Sequence, residues 1–163
     1  MSLVFASMPS PVGHLKLVAG EAGLVAILWQ EDDPKRVRLG TMIEQPDYAV
    51  LAEAQRQLAD YFAGRRRNFT VKLDFRGSDF QKQVWAALLA IPFGETRTYG
   101  QIARQLGRPS ASRAVGAANG RNPISIIAPC HRVLGANGTL TGFAGGLAAK
   151  RFLLDHERRH AGT

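Results

Sequence analysis

Short apolar runs and turn residues alternate along the first part of the chain. Two apolar-rich runs, residues 12–19 and 23–30, flank the turn from Gly20 to Gly23, and this spacing predicts a β-hairpin. The next segment, residues 31–46, is polar and contains two prolines, so we expect a loop there.

A helix and a strand follow that loop. The spacing within residues 48–63 predicts an amphipathic helix that ends at Gly64, with an apolar face made by Leu51, Ala54, Leu58 and Phe62. Apolar and polar residues then alternate through 69–75, which predicts a half-buried strand. The turn between them carries Arg65, Arg66 and Arg67. Such a run is typical of a solvated turn, and a phosphate contact is the alternative.

The second part of the chain is patterned as helices. Ser78 and Gln81 form a capping-box pattern, which predicts a helix that must end before Pro92. Thr98 and Gln101 repeat the pattern and predict a second, shorter helix.

A third short helix is predicted over residues 113–119, capped by Ser110 or Ser112. Two short helices joined by a glycine-containing turn favour a helix-turn-helix. Asn137-Gly138 is typical of a tight turn between residues 132–134 and 139–141, a candidate for the small hairpin, or wing, of a winged helix. A last helix is predicted from Leu147 to about Arg159.

Charge divides the chain more sharply than hydropathy does. Residues 1–76 carry 10 basic and 9 acidic side chains, whereas residues 77–163 carry 11 basic and 4 acidic ones. The predicted elements and this difference in charge together indicate an α+β protein. In it, residues 1–76 form a small α/β domain with an antiparallel sheet and one helix. Residues 77–163 form a mainly helical winged helix-turn-helix domain. Its net charge of +7 favours a polyanionic partner, and a surplus of solubilising charge is the plain alternative.

Composition also excludes several classes of protein. No apolar run approaches the roughly 18–20 residues that span a bilayer, and the first ten residues lack the pattern of a signal peptide. Cys130 is the single cysteine of the chain, which rules out an internal disulfide and a cysteine-rich zinc site. A lone thiol without a secretion signal fits the cytoplasm, where we expect this protein.

The candidate chemistry centres on Cys130. It lies between Pro129 and His131, and Arg132 adds a positive charge that favours the reactive thiolate. Adjacent side chains do not normally face each other, so His131 would act as a base through a bridging water or a local turn. A base also needs an orienting partner, for which Glu157 and Asp155 are the nearest acidic candidates. These residues alone leave open a cysteine hydrolase, a redox thiol and an alkyl acceptor.

Motifs around Cys130 and elsewhere in the second half of the chain distinguish between these three kinds of cysteine chemistry. The run Pro129-Cys130-His131-Arg132-Val133, preceded by Asn122-Pro123, resembles the active-site signature of the O6-alkylguanine-DNA alkyltransferases. The residues 99–103, 112–116 and 145–150 resemble further segments of the same family in the same order. The resemblance covers most of residues 77–159 and is weaker over 1–76.

The resemblance implies direct-reversal DNA repair. A guanine alkylated at O6, or a thymine alkylated at O4, is flipped out of double-stranded DNA because a thiolate cannot reach it inside the stack. Cys130 then takes the alkyl group as a stable thioether and is spent after one turnover. His131 deprotonates Cys130 through a water, and Glu157 orients His131.

The resemblance also assigns the DNA contacts. Tyr99 hydrogen-bonds the flipped base, and Arg113 enters the duplex in its place. The plain alternatives are a partly buried core tyrosine and a phosphate contact. The helix bearing Arg113 enters the minor groove, where sequence readout is poor. By the same resemblance, Ser112 and Ala114 also contact DNA. The pocket for the flipped base is lined by Val133, Phe143 and Ala144, and Asn122 holds a structural turn.

The sequence departs from some members of the family in the base pocket and in its number of cysteines. Phe143 and Ala144 replace a tyrosine and a serine of some members, so the hydroxyl contacts to the alkylated base are lost. Some relatives bind zinc or carry a second methyl-accepting domain, but one cysteine supports neither, and we expect no metal or cofactor. A relative with tryptophan at position 130 only binds damage, and Cys130 argues against that class. We expect a monomer in solution and no membrane partner, and cooperative assembly on DNA is the alternative.

Overall fold

The structure is a computed structural model that describes residues 2–162. Its first half contains a four-stranded sheet of β1 (Leu3–Met8), β2 (Leu15–Gly20), β3 (Gly23–Trp29) and β4 (Met42–Glu44). The strand order is β3-β2-β1-β4, and every pairing is antiparallel except that of β4 with β1.

The predicted hairpin is confirmed as β2 and β3, and the predicted loop is partly wrong. Residues 31–46 contain β4, whose backbone pairs with the outer edge of β1. This strand is three residues long and largely exposed, so its sequence carries no apolar alternation that could have predicted it.

The predicted helix is α1 (Ala49–Phe62), which packs Leu51, Ala54 and Leu58 into the core beside the sheet. The strand predicted over residues 69–75 is wrong. That segment makes one bridge, in which Leu24 of β3 donates to the Lys72 carbonyl and accepts from Asp74. Because only Leu24 pairs with it, the segment is extended but forms no ladder.

Four further helices make up most of the second half: α2 (Asp79–Leu89), α3 (Tyr99–Gln105), α4 (Ser112–Gly120) and α5 (Leu147–Ala161). Both predicted capping boxes are confirmed. The side-chain oxygens of Ser78 and Thr98 accept a hydrogen bond from the backbone N–H three residues later. The side-chain oxygen of the glutamine at that later position accepts in turn from the backbone N–H of Ser78 or Thr98.

Two local predictions in this half are wrong. Ala111, not a serine, occupies the N-cap of α4, because its carbonyl accepts the first helical hydrogen bond, from Val115. The wing does not form a two-stranded ladder. Its tight turn is present, with Asn137 and Gly138 at positive φ, but the flanking strand pairs elsewhere, since β6 (Val133–Leu134) runs parallel to β5 (Arg97–Thr98).

The two halves meet through a shared apolar layer. The core beneath the sheet includes Ile124, Ile126 and Ile127 from the segment before Cys130, and Leu153 from α5. A second core joins α2, α3 and α4 to Cys130 and Val133. The α+β fold with a small sheet and a helical second half is thus as predicted, and Cys130 lies where the two cores adjoin.

Candidate active site

Cys130 begins a single 3-10 turn, Cys130–Arg132, directly after a tight turn at residues 124–128. Ile126 in that turn has a φ of 75°, in the left-handed region that a β-branched residue rarely adopts. Ile126 is completely buried, so the packing around it holds the strained backbone in place. Cys130 itself is 4% exposed, which places its thiol below the surface.

His131 follows in the same turn and is completely buried. Its Nε2 lies 2.7 Å from Oε2 of Glu157, as the predicted orienting contact requires. Burial favours the neutral imidazole and lowers the pKa of His131. Because a carboxylate accepts the hydrogen bond, Nε2 carries the proton and Nδ1 is left as the acceptor. Nδ1 has no hydrogen-bond partner within residues 2–162.

Glu157 is held by more than the histidine. Arg132 donates from Nε to Oε1 at 2.7 Å and from Nη2 to Oε2 at 2.9 Å, and the Tyr61 hydroxyl donates to Oε2 at 2.6 Å. Burial alone would raise the pKa of Glu157, but the hydrogen bonds from His131 and Arg132 outweigh it and hold the pKa well below its usual range. Asp155, the other acidic candidate, is exposed and pairs with Arg158.

The charge of Arg132 is therefore not available to the thiol. The sequence suggested that it favours the thiolate, but its guanidinium is bound to Glu157 and to the Ile91 carbonyl. Burial raises the pKa of Cys130. Hydrogen bonding from Asn122 and Ser125 and the charges of Arg36 and Lys150 oppose that effect.

Asn122 holds the backbone ahead of the cysteine through both polar atoms of its side chain. Its Nδ2 donates to the Ala128 carbonyl at 2.8 Å, and its Oδ1 accepts from the Ile124 N–H at 3.1 Å. Its own carbonyl accepts from Arg36 at 2.8 Å, and Arg36 is also paired with Asp32. The loop before β4 thus supports the turn that carries the nucleophile.

The helix-turn-helix residues lie on a separate surface. Tyr99, Ser112 and Arg113 line one side of a cleft of about 640 Å³ between α3, α4 and the loop at residues 136–142. Arg113 and Ala114 are exposed, and Ser112 and Tyr99 are half-buried. The Tyr99 hydroxyl lies 2.6 Å from Oγ1 of Thr141, so in this state it is engaged with that loop.

The three expected pocket residues lie on the loop side of Cys130. Val133 is buried in the same core as Cys130, and its carbonyl accepts from Lys150 Nζ at 2.8 Å. Phe143 packs edge-on to Trp29 with ring centroids 5.3 Å apart, and Lys150 Nζ lies 5.9 Å from the Phe143 ring centre. Ala144 is half-buried beside them.

The arginine run after α1 is used in part within the protein. Arg67 donates to the His160 carbonyl at 2.5 Å, and Arg66 donates to the Asn68 carbonyl at 3.0 Å. Arg65 lies 3.7 Å from Asp60. These contacts tie the turn to the C-terminal end of α5 and to its own helix.

Four contributors to the site were missed by sequence reasoning: Tyr61, Trp29, Ser125 and Arg36. Three of them come from the first half of the chain, where no motif marks them. Only Ser125 had a sequence signal, since it lies inside the run that leads to Cys130. The others depend on contacts between residues more than 80 positions apart.

Within residues 2–162 no helix is long and apolar enough to cross a membrane. Over the same residues no three His, Cys, Asp or Glu side chains cluster in a way that could hold a metal ion.

The fold and the site together define a helix-turn-helix protein with one buried cysteine beside an oriented histidine. Family models match nearly the whole chain: the "6-O-methylguanine DNA methyltransferase, ribonuclease-like domain" over residues 3–75, and the "DNA binding domain" of the same family over 79–159. The chain belongs to the 6-O-methylguanine DNA methyltransferase family.

Individual relatives agree with this assignment. A methylated-DNA–protein-cysteine methyltransferase of Methanosarcina acetivorans is 50% identical over 95% of this chain and 98% of its own length. One of Mycobacterium bovis is 49% identical over 96% of this chain and 93% of its own length. The crystal structure of Mycobacterium tuberculosis OGT in complex with DNA superposes with a TM-score of 0.87 at 47% identity, covering 98% of this chain and 94% of that one.

Proposed function

We propose that this protein repairs DNA by transferring an alkyl group from O6-alkylguanine, and from O4-alkylthymine as a second substrate, onto Cys130. The observation that carries the proposal is the buried 2.7 Å contact between His131 and Glu157 in the turn that begins with Cys130. It gives the only thiol of the chain an oriented, neutral base. Family membership and the DNA complex of the mycobacterial relative support the same activity.

The proposed reaction is a single displacement at the alkyl carbon. The thiol proton passes through a water to Nδ1 of His131, and Glu157 stabilises the imidazolium that forms. The sulfur attacks the alkyl carbon, the S–C bond forms, and the C–O6 bond breaks. The electron pair stays on the guanine, which takes up a proton. A thioether does not hydrolyse under mild conditions, so each molecule accepts one alkyl group.

The proposed DNA complex uses the surface of α3 and α4. The helix α4 enters the minor groove, Ser112 and Ala114 contact the backbone, and Arg113 fills the stack that the flipped base has left. The exposure of Arg113 supports this role. Tyr99 exchanges its contact with Thr141 for one with the flipped base.

The proposed base pocket lies between Cys130 and the loop that precedes α5. Val133 presents backbone groups to the guanine edge, and Phe143 provides an aromatic wall. Ala144 contributes its backbone but no hydroxyl. The carbonyl of Val133 retains one free lone pair beside its bond to Lys150, so it can accept a second hydrogen bond.

The remaining features are proposed on the same basis. The chain divides after Arg76 into a supporting domain, 1–76, and a DNA-binding and alkyl-accepting domain, 77–163. The protein acts as a monomer without cofactor on double-stranded DNA that contains alkylated bases. It works in the cytoplasm, where a lone thiol stays reduced.

Intact mass spectrometry tests the proposal directly. The protein is mixed with excess duplex that contains one O6-methylguanine, and the modified peptide is then mapped. We expect one added methyl group per molecule, located on Cys130, with no further turnover. The unmethylated duplex serves as the control. Bound duplex without added mass, or turnover without modification, would overturn the proposal.

A further inference from the structure

One buried contact of Cys130's surroundings has no role in the mechanism above. The indole of Trp29, at the end of β3, donates from Nε1 to Oγ of Ser125 at 3.1 Å. Ser125 is completely buried and Trp29 is 6% exposed. Ser125 lies in the tight turn just ahead of the cysteine, so this bond links the sheet to the nucleophile's own segment.

The indole is held rigidly from several sides. A Cβ at Gly145 would lie 2.6 Å from the ring, which means that the backbone of the loop packs directly on it. Phe143 meets the ring edge-on. The Trp29 backbone N–H donates to Asp32, which is paired in turn with Arg36. An immobile donor is what fixes the orientation of a hydroxyl.

The chemistry of a hydroxyl then sets the direction of the Ser125 proton. A serine oxygen has one O–H donor and two acceptor lone pairs, and the indole N–H can only donate. The bond from Trp29 therefore uses a lone pair and leaves the O–H free to donate elsewhere. Ser125 and Asn122 are the two side chains whose hydrogen bonds favour the ionised form of Cys130.

We propose that Ser125 and Trp29 are positioning residues for alkyl transfer, with Trp29 holding the Ser125 hydroxyl so that it donates to Sγ of Cys130 as the thiolate forms. The inference rests on the proposed function. The sulfur loses its proton to the His131 side, and the Ser125 hydroxyl keeps its own proton while stabilising the negative charge. The charged groups that face the sulfur from other elements are Lys150 of α5 and Arg36 of the loop before β4.

The test is the pH profile of Cys130 alkylation by iodoacetamide without DNA. Intact mass follows the reaction cleanly because Cys130 is the single cysteine. For Ser125→Ala we expect a loss of about tenfold at neutral pH and a midpoint raised by about one pH unit, the size of one hydrogen bond to a charged group. Trp29→Phe shifts the midpoint in the same direction by less, and Ser125→Thr, which keeps the hydroxyl, restores it.

A matched control separates positioning from packing. Trp85 is also buried and donates its indole N–H, to the Ala118 carbonyl at 2.9 Å, so Trp85→Phe loses a similar bond away from Ser125. We expect its midpoint to be that of the wild type. The double variant of Ser125→Ala with Trp29→Phe should match Ser125→Ala alone, because Trp29 acts through Ser125.

The outcomes are distinguishable from a failure of the proposed function. Each variant is first checked for cooperative thermal unfolding, and alkylation by a small reagent needs no DNA. An unchanged midpoint in Ser125→Ala overturns the inference even where wild-type protein accepts methyl groups from DNA. A shifted midpoint upholds it as a thiol effect, and a wild type that gains no methyl from the duplex then refutes only the proposed function.

Discussion

The surroundings of Cys130 and the surface of α3 and α4 are built in opposite ways. Around the cysteine, polar side chains are buried and paired: Glu157 accepts hydrogen bonds from Tyr61, His131 and Arg132. On α4, Arg113 is exposed and makes no ion pair with any residue from 2 to 162. The first region has its charges fixed in place, and the second leaves its charge in solvent.

The difference matches two physical tasks. A charge that must stabilise the imidazolium of His131 as the thiolate forms acts best from a fixed position in a buried site, where no reorganisation is needed. A charge that must find DNA of any sequence acts by releasing counterions from phosphates, and for that a solvated, mobile side chain is sufficient. Substitutions in the two regions should therefore alter different measurements.

The largest expected effect is that of Cys130→Ala. Because the thiol is the proposed acceptor, transfer from a methylated duplex should be abolished. Its affinity for that duplex should stay within about twofold of wild type, since the cysteine packs in the core beneath α4 and is not part of the exposed surface that carries Arg113. Mass spectrometry and fluorescence anisotropy measure the two quantities. Retained transfer would show that Cys130 is not the acceptor. A loss of affinity would show that the cysteine also contributes to DNA binding, so that the two regions do not act separately.

Glu157→Gln should destabilise the fold strongly. The substitution removes the carboxylate that pairs with Arg132 and His131 and leaves a buried guanidinium uncompensated, which costs about 3–5 kcal/mol. Urea unfolding measures the loss. Glu95→Gln is the matched control, because Glu95 pairs with Arg97 at the surface, where such a pair contributes about 0–1 kcal/mol. Equal losses in the two variants would contradict the buried network.

Acidification should weaken the fold through the same cluster. The folded pKa of His131 is lowered by burial, so below pH about 6.5 the unfolded chain binds a proton that the folded chain does not. Stability is then complete above that pH and falls as pH decreases, by up to about 1.4 kcal/mol per pH unit for each such proton. Glu157, whose pKa is lowered, adds a further loss at more acidic pH.

Urea midpoints from pH 8 to 4 measure this dependence. His131→Asn should reduce the slope below pH 6.5 without abolishing it, because burial also lowers the pKa of His156, and His14→Asn, at an exposed position, is the control. A wild-type midpoint that stays constant from pH 7 to 5 would contradict the burial of a neutral imidazole.

The smallest expected effect lies in the exposed region. Thr98→Ala removes the side-chain cap of α3 and its bond from the Gln101 N–H, at a cost of about 1 kcal/mol. The fold should remain intact, and thermal unfolding should register the loss. Ser78→Ala, the equivalent change at the cap of α2, should cost a similar amount. A loss above about 3 kcal/mol would show that α3 is coupled to the buried cluster.

Local signals explain what the sequence predicted well. The capping boxes at Ser78 and Thr98, the turn between β2 and β3, and the run around Cys130 each depend on residues close together in the chain. The pairing of His131 with Glu157 was also accessible, because few acidic residues follow Cys130.

The predictions that were wrong depend on contacts between residues far apart in the chain. The segment at 69–75 alternates like a strand, but pairing depends on how much of β3 it can reach, which is Leu24 alone. The prediction of a wing was wrong because β6 pairs with β5, which lies about 36 residues earlier in the chain, instead of with residues 139–141. Arg132 was assigned to the thiol because they are close in sequence, whereas folding brings Glu157 to it. Contacts made across the chain decide each case.

The most direct test of the division between the two regions compares two substrates for Arg113→Ala. Single-turnover transfer is measured from a methylated duplex and from free O6-methylguanine base, with the exposed α5 variant Arg158→Ala as control. We expect a loss of about tenfold or more on the duplex, because Arg113 offsets part of the cost of unstacking, and an unchanged rate on the free base. An equal loss on both substrates would contradict it.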